Sequence, residues 1–487
     1  MSSSTLTSTI EPETFAFSLP AESKKSIQHG SSDSEAAIQM ENLPNRSVVS
    51  SISASEFGAN ANNLQSLSPS SPTALVDQKE TIWNPYKNRF RVLGCCFTGF
   101  ANGMNDAAPG ALIASIERDY HINYGTVSTI FVCTALGFIT AAFFVSTTSQ
   151  KFGRAKCLIV SEALLTLGYT TIVTSPPFPM VVLSFFILGV GMAINLAISQ
   201  VFCATLANNT AMIGLYQGSY GIGGTIAPLI ATAMISHGYP WSRFYIIELG
   251  LAIFNLFFSP WAFWNYETES DHPLPAPTSE HDNTRINSDA KRRWKSFKTV
   301  ISNKPTVLGA CFMFAYQGAE VAISGWIISF LVQFRHGDPS KVGYVTSGFW
   351  AGITLGRFTL SFLAHRIGER FFVFIATAFA LILELLIWFV PSIPGDSVAV
   401  AISGFFLGPV SPCSIHLYQR LIPQKMQISS LSLIGSVGSS GGAIAPFMTG
   451  MLAQSAGTFV LHPICIALFV GMAVSWWALP EPEKRSE

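Results

Sequence analysis

Gly223-Gly-Thr-Ile-Ala-Pro228 recurs 218 residues later as Gly441-Gly-Ala-Ile-Ala-Pro446, each copy inside a long apolar run. At a shift of 215, Gly103, Asn105 and Gly110 fall on Gly318, Glu320 and Gly325, and Lys151-Phe-Gly153-Arg154 falls on Arg366-Ile-Gly368-Glu369-Arg370. Agreement at three separated places argues for an internal duplication. From Arg91 to Leu479 there are 389 residues; without the polar stretch 267–305 (39 residues) 350 remain, about 29 for each of twelve units. That is a ~20-residue membrane span plus a short loop. The spans expected are 92–116, 126–146, 157–175, 179–203, 211–236, 244–266, 306–331, 342–364, 371–391, 396–418, 427–454 and 458–479. Breaker clusters at Ser175–Pro179, His237–Pro240 and Pro391–Gly395 separate several of them.

Composition agrees. Of 487 residues, 49% are hydrophobic and 11% charged, whereas soluble chains carry about 25% charged residues. Lipid must therefore cover much of the surface. Lys plus Arg and Asp plus Glu each number 28, so no charge excess points to nucleic acid. The eight Cys lie in or at the edge of apolar runs without metal-site or disulfide spacing and read as packing residues. Residues 1–82 are different: 19 of the first 80 are Ser, and no apolar period is sustained, which predicts a disordered tail without a secretory signal.

Orientation follows from the basic residues. Nineteen Lys and Arg flank one set of span ends, and four (Arg118, Arg243, Arg335 and Lys341) flank the other. Positive loops stay in the cytosol. The expectation is a cytosolic tail (1–82), a six-helix half (83–266), a cytosolic linker (267–305), a second six-helix half (306–479) and a short cytosolic tail (480–487). Plasma and internal membranes both remain open.

The loops after spans 2 and 8 resemble the signature of the major facilitator superfamily, over about 390 positions. The resemblance implies an all-α polytopic membrane protein with twelve transmembrane helices in two parallel six-helix repeats, which rock about a central site. Lys151, Gly153 and Arg154, with Arg366, Gly368 and Arg370, are then gating-loop residues. The pattern departs at Ser146 and Gln150 and at Ser361 and His365, where the signature has a Gly and an acid. Phe100-Ala-Asn-Gly-Met-Asn-Asp106 and the Gly-rich span 5 are most similar to the fucose:proton symporter branch, particularly its fungal members. That branch carries an acid in span 4, where this chain has Asn195.

An acid buried in a span costs about 2.5 to 3.5 kcal/mol on insertion scales, so it should face the interior and serve a pathway. Asp106, some 14 residues into span 1 beside Pro109 and Gly110, is the first candidate for proton coupling, and Glu320, the repeat partner of Asn105, is the second. Glu384 is expected to pair structurally with Arg357, and Glu162 and Glu248 to reach the interface near span ends. Asn102, Asn105, Asn195, Gln200, Gln217, Tyr316 and Gln317 supply neutral donors and acceptors suited to an uncharged solute, or to helix-to-helix bonding. Trp326 and Trp350 are expected as interfacial anchors that could otherwise stack on a ring.

No Gly-Lys dipeptide occurs, which removes a phosphate-binding loop and with it a nucleotide-driven pump. No His-Glu-x-x-His motif or mid-span nucleophile with a base points to an enzyme. The expected function is secondary transport of a small organic solute coupled to protons, by a monomer in the bilayer with no metal and no cofactor. Efflux of an amphipathic metabolite and a non-transporting nutrient sensor are the alternatives.

Overall fold

The computed structural model describes residues 80–269 and 299–481. Most of the expected N-terminal tail, the centre of the linker and residues 482–487 lie outside the described residues. Within them every regular element is helical. The first half contains α1 (Asn88–Tyr120), α2 (Thr129–Phe152), α3 (Arg154–Val173), α4 (Phe178–Thr205), α5 (Asn209–Ser236) and α6 (Tyr245–Phe263). The second contains α7 (Lys304–Gln333), α8 (Val345–Ile367), α9 (Glu369–Phe389), α10, α11 (Gln424–Ala456) and α12 (Leu461–Trp477). α10 runs over Ile393–Leu407 and, after a break at Gly408-Pro409, continues as Val410–Leu421. Short connections make successive helices antiparallel. We call the end that carries Asn88 and Trp477 the terminal face and the opposite end the far face.

Ten of these spans are long and apolar enough to cross a membrane. α1 and α8 are the two outside that set, since both carry polar side chains mid-helix, Asn102, Asn105 and Asp106 in one and Arg357 in the other. Local sequence sets the ends. Gly153 and Gly368 take φ of 81° and 102°, a region that disfavours a Cβ, and turn the chain between α2 and α3 and between α8 and α9. Asn303 caps α7 by accepting from Thr306 N at 3.1 Å, and Ser392 caps α10 by accepting from Gly395 N at 3.2 Å.

Lipid supplies little hydrophobic drive between helices, so packing depends on close backbone approach at small residues. A Cβ at Gly103 of α1 would lie 1.9 Å from Tyr220 O of α5, and one at Gly223 would lie 2.0 Å from Phe100 O. The second half repeats the crossing between α7 and α11, where a Cβ at Gly441 would lie 2.0 Å from Phe314 O. The pairs α2–α4 and α8–α10 also correspond, crossing at Gly137 and Gly189 and at Gly352, Gly356, Gly404 and Gly408.

The halves meet towards the far face. Gly110 of α1 sits against Ser324 O of α7, Gly343 before α8 against Thr232 of α5, and Gly450 of α11 against Ser128 before α2. Gly221, Gly218 and Gly214 follow one another down α5 towards the terminal face. The first two touch Thr354 and Phe358 of α8, whereas Gly214 has nothing within 4 Å of its Cβ position. The contact between α5 and α8 therefore ends before the terminal face is reached.

Candidate functional site

The α1–α5 crossing places the first polar pair. α1 and α5 run in the same direction, with Gly99 against Tyr216 and Gly103 against Tyr220. Tyr220 therefore lies beside the stretch of α1 that carries Asp106, and its OH donates to Asp106 Oδ2 at 2.6 Å. Asp106 is the nineteenth residue of α1, about 27 Å along a ~50 Å helix and so just past its centre. Both side chains stay partly exposed inside the bundle.

The second half offers the opposing group. Gly352 and Gly356 pin α8 to α10, which turns Arg357 away from α10's side chains towards α7 and α5. Its Nη2 lies 3.6 Å from Glu320 Oε1, and the side chains are 18% and 9% exposed. Arg357 Nε donates to Gly408 O at 3.4 Å, and Nη1 donates across the two halves to Gln217 Oε1 of α5 at 3.5 Å. Tyr316, one turn before Glu320, lies beside the pair. Gln317, on the same helix, holds a buried Oε1 without a hydrogen-bond partner. Glu320, Tyr316 and Gln217 thus come together, and the centre of the group is Arg357, which sequence reasoning assigned to Glu384. The signal was present: Arg357 is a basic residue well inside a span, and the cost that singled out the acids applies equally to it.

Asn102, Asn105 and Asn195 are buried inside the first half. Asn102 Nδ2 donates to Asn195 Oδ1 at 2.9 Å, and Asn195 Nδ2 donates to Glu162 Oε1 at 3.3 Å. Asn105 Nδ2 points at Met192 Sδ, 3.1 Å away, and Asn105 Oδ1 accepts from Tyr169 OH at 3.3 Å. Gln200 lies five residues from the terminal-face end of α4 and joins none of these bonds.

Several expectations are corrected. Glu162 and Glu248 are 1% and 0% exposed and do not reach an interface. α3 begins at Arg154, which sets Glu162 two turns deep, and the aromatic layer of Trp241, Phe244 and Tyr245 closes over the start of α6. Glu384 pairs with buried His462 of α12, whose Nδ1 is 2.7 Å from Glu384 Oε1, because Arg357 faces α7 instead. Trp326 and Trp350 are 1% and 3% exposed and anchor no interface. Trp326 Nε1 donates to Pro446 O at 2.9 Å and Trp350 Nε1 to Ser324 Oγ at 2.8 Å. The Trp350 ring stands 5.8 Å from that of Tyr220, which places it at the edge of the central group.

The two gating-loop candidates are matched clamps. Glu267 Oε1, beyond α6, accepts from Arg154 N at 2.6 Å, and the Arg154 guanidinium lies 4.3 Å from the Tyr266 ring centre. In the repeat, Arg370 donates to Leu479 O at 2.6 Å and Pro480 O at 3.2 Å, beyond α12. Each loop thereby grips the last helix of its own half, through the turns at Gly153 and Gly368. Lys151 is exposed, and Arg366 stacks on Phe362 at 4.6 Å. Among the described residues no three His, Cys, Asp or Glu side chains gather as a metal site.

Two repeated six-helix bundles around a polar, partly exposed centre define the architecture of a secondary transporter of small solutes. The chain belongs to the Major Facilitator Superfamily, whose model matches residues 95–446 and again 337–487. It is 23% identical over 419 residues to Bypass of stop codon protein 6 of Saccharomyces cerevisiae, covering 82% of this chain and 84% of that one. Its fold is similar to that of a D-xylose-proton symporter, with a TM-score of 0.63, 13% identity and coverage of 81% of this chain and 98% of the other. It is also similar to the nucleoside transporter NupG, with a TM-score of 0.60, 12% identity and coverage of 80% and 98%.

Proposed function

We propose that this chain is a proton-coupled secondary transporter of a small, uncharged, polar organic solute, working by alternating access between its halves. The observation that carries the reading is the central juxtaposition across the two halves, with Asp106 and Tyr220 on one side and Arg357, Glu320 and Tyr316 on the other, bridged by Gln217. A solute bound there touches both halves and feels their relative motion. Asp106 is the proton-coupling residue, and Glu320 is its counterpart in the second half. Because Glu320 accompanies Arg357, the site offers no uncompensated cation, which favours hydroxyl- and carbonyl-bearing neutral solutes over anions. Gln217, Gln317, Tyr316 and the Tyr220–Trp350 edge make the contacts, while Asn102, Asn105 and Asn195 stand behind them.

Closure towards the far face, together with the separation beyond Gly218, supports a conformation open to the terminal face. The basic flanks make that face cytosolic, with both chain ends inside. The Phe100–Asp106 motif supports membership of the fucose:proton symporter-like branch.

The test is uptake of labelled D-glucose, D-xylose, uridine and the dianion succinate into proteoliposomes under an imposed proton gradient. At least one neutral solute should accumulate. One charge moved across 100 mV is worth about 2.3 kcal/mol, or roughly 50-fold accumulation. Asp106→Asn keeps shape and hydrogen bonding but cannot titrate, so it should abolish accumulation and spare exchange at equilibrium. Flux without accumulation in the wild type would replace symport by facilitated diffusion, and absence of flux in either direction would favour a sensor.

A further inference from the structure

Glu162 of α3 lies inside the first half, 1% exposed, and the transport site just described does not use it. Its Oε1 accepts from Asn195 Nδ2 of α4 at 3.3 Å, and its Oε2 is buried without a hydrogen-bond partner. Asn195 Oδ1 accepts in turn from Asn102 Nδ2 of α1 at 2.9 Å. A file of hydrogen bonds therefore crosses three helices and ends at Asn102. Asp106 is four residues further along α1, on the same side of the helix.

The chemistry of the file gives it a direction. An ionised carboxylate only accepts, so each amide must present its NH2 towards α3 and its oxygen towards α1. A protonated carboxyl also donates. With a proton on the oxygen that faces Asn195, Oε1, an Asn195 turned by half a rotation accepts from Glu162 and donates its NH2 to Asn102, whose amide must then turn as well. The end of the file nearest Asp106 exchanges an acceptor for a donor. The step forms one O–H bond at Oε1 and breaks one in the hydronium ion that delivers the proton.

The surroundings fit a site that changes charge. The titratable groups facing this part of α3 are Tyr169 on α3 itself, Glu248 and Tyr245 on α6, and Asp106 on α1; α4 contributes neutral Asn195. Glu248 is 0% exposed with both carboxylate oxygens lacking hydrogen-bond partners. Among the described residues no basic side chain pairs with Glu162.

We infer that Glu162 is a further proton-carrying carboxyl besides Asp106 and Glu320, and that its charge state sets the direction of the Asn195–Asn102 file and so reports a proton on α3 to the solute site on α1. This rests on the transporter reading above and deepens it.

The experiment is an infrared pH-difference titration of the full chain in lipid nanodiscs, which needs no solute. The wild type should show the carbonyl band of a protonated carboxylic acid and a change in asparagine side-chain amide bands with the same pH midpoint. Glu162→Gln should lose the amide change and the carboxyl component that shares its midpoint, leaving any carboxyl component of Asp106 at its own midpoint, and Asp106→Asn should keep both. Retention of both bands in Glu162→Gln would overturn the inference. Asn195→Ala is the second variant. It should keep the carboxyl band and lose the amide change, and an amide change that survives it would also overturn the inference. In proteoliposomes, with the neutral solute that the wild type accumulates from the panel, Glu162→Gln should lower accumulation by about tenfold or more and spare equilibrium exchange. Glu162→Gln combined with Asn195→Asp, which returns a carboxyl to the file, should restore part of it, a rescue that a purely structural role would not give. A wild type with the bands but no accumulation sinks the transporter reading and leaves the titrating file standing. A wild type that accumulates, matched by Glu162→Gln, sinks this inference alone.

Discussion

On the alternating access proposed above, Gly110→Ala should shift the protein towards its far-open conformation without damaging either half. The Cβ would lie 2.0 Å from Ser324 O of α7, and Ser324 belongs to the opposite half. Carbon and oxygen settle near 3.2 Å, so α1 and α7 must part by roughly 1.2 Å at a place where both partners are backbone. Overpacking of that kind costs about 1 to 3 kcal/mol. Under that same alternating access the Gly110–Ser324 contact parts when the far face opens, so the cost falls on the far-closed conformation alone. The far-open population should therefore rise by about 5- to 150-fold. The control is Gly103→Ala, whose Cβ would lie 1.9 Å from Tyr220 O within the first half. It should lower stability in both conformations and leave their ratio alone. Thr346 is 0% exposed beneath the far-face closure, so Thr346→Cys provides the reporter. Its alkylation by a membrane-impermeant maleimide added on the far side, read at that peptide by mass spectrometry, should accelerate in the Gly110→Ala background and not in Gly103→Ala. Equal rates in both would refute the assignment of the α1–α7 contact to one conformation.

Arg357→Gln leaves Glu320 buried without its cation and should cost about 3 to 5 kcal/mol, seen as a lower melting temperature, while the double change with Glu320→Gln should recover most of the loss. Glu267→Gln weakens the clamp on Arg154 N and should slow solute exchange more than it weakens solute binding. A fall in binding with unchanged exchange would remove the loop from gating. Protease added outside intact cells should spare the segment Arg285–Lys298, and cleavage there would reverse the orientation.

The duplication was legible because it rests on backbone chemistry. Gly223 and Gly441 recur where two helices cross backbone to backbone, and Gly153 and Gly368 recur where the chain turns with positive φ. No larger residue meets either demand, so the pattern survives in one sequence. Helix count and loop positions were equally legible, since a bilayer fixes span length. Start positions were less so: α1 begins at Asn88, four residues before the expected start, which shifted the estimated depth of Asp106.

Pairing at the site was not legible, and the bilayer supplies the reason. A soluble helix shows its buried face by an apolar stripe against a polar one, whereas a spanning helix is apolar towards lipid and towards neighbouring helices. α7 shows the difficulty: Glu320 follows Gly318 by two residues, and apolar patterning alone gives no way to choose the helix that Glu320 faces. Glycine supplies the missing phase. Gly318 packs against Ala445 of α11, so Glu320, about 200° further round at 100° per residue, points away from α11, and its partner is Arg357 of α8. Gly356 packs against Phe405 of α10, which sets Arg357 about 100° off that contact and towards α7. α9 contains no glycine, and Glu384 on α9 is the acid whose partner was misassigned. In a chain of this kind the rotation of each helix is therefore better read from its close-packed glycines than from its polar residues, and a span without them keeps its partners hidden until the structure is known.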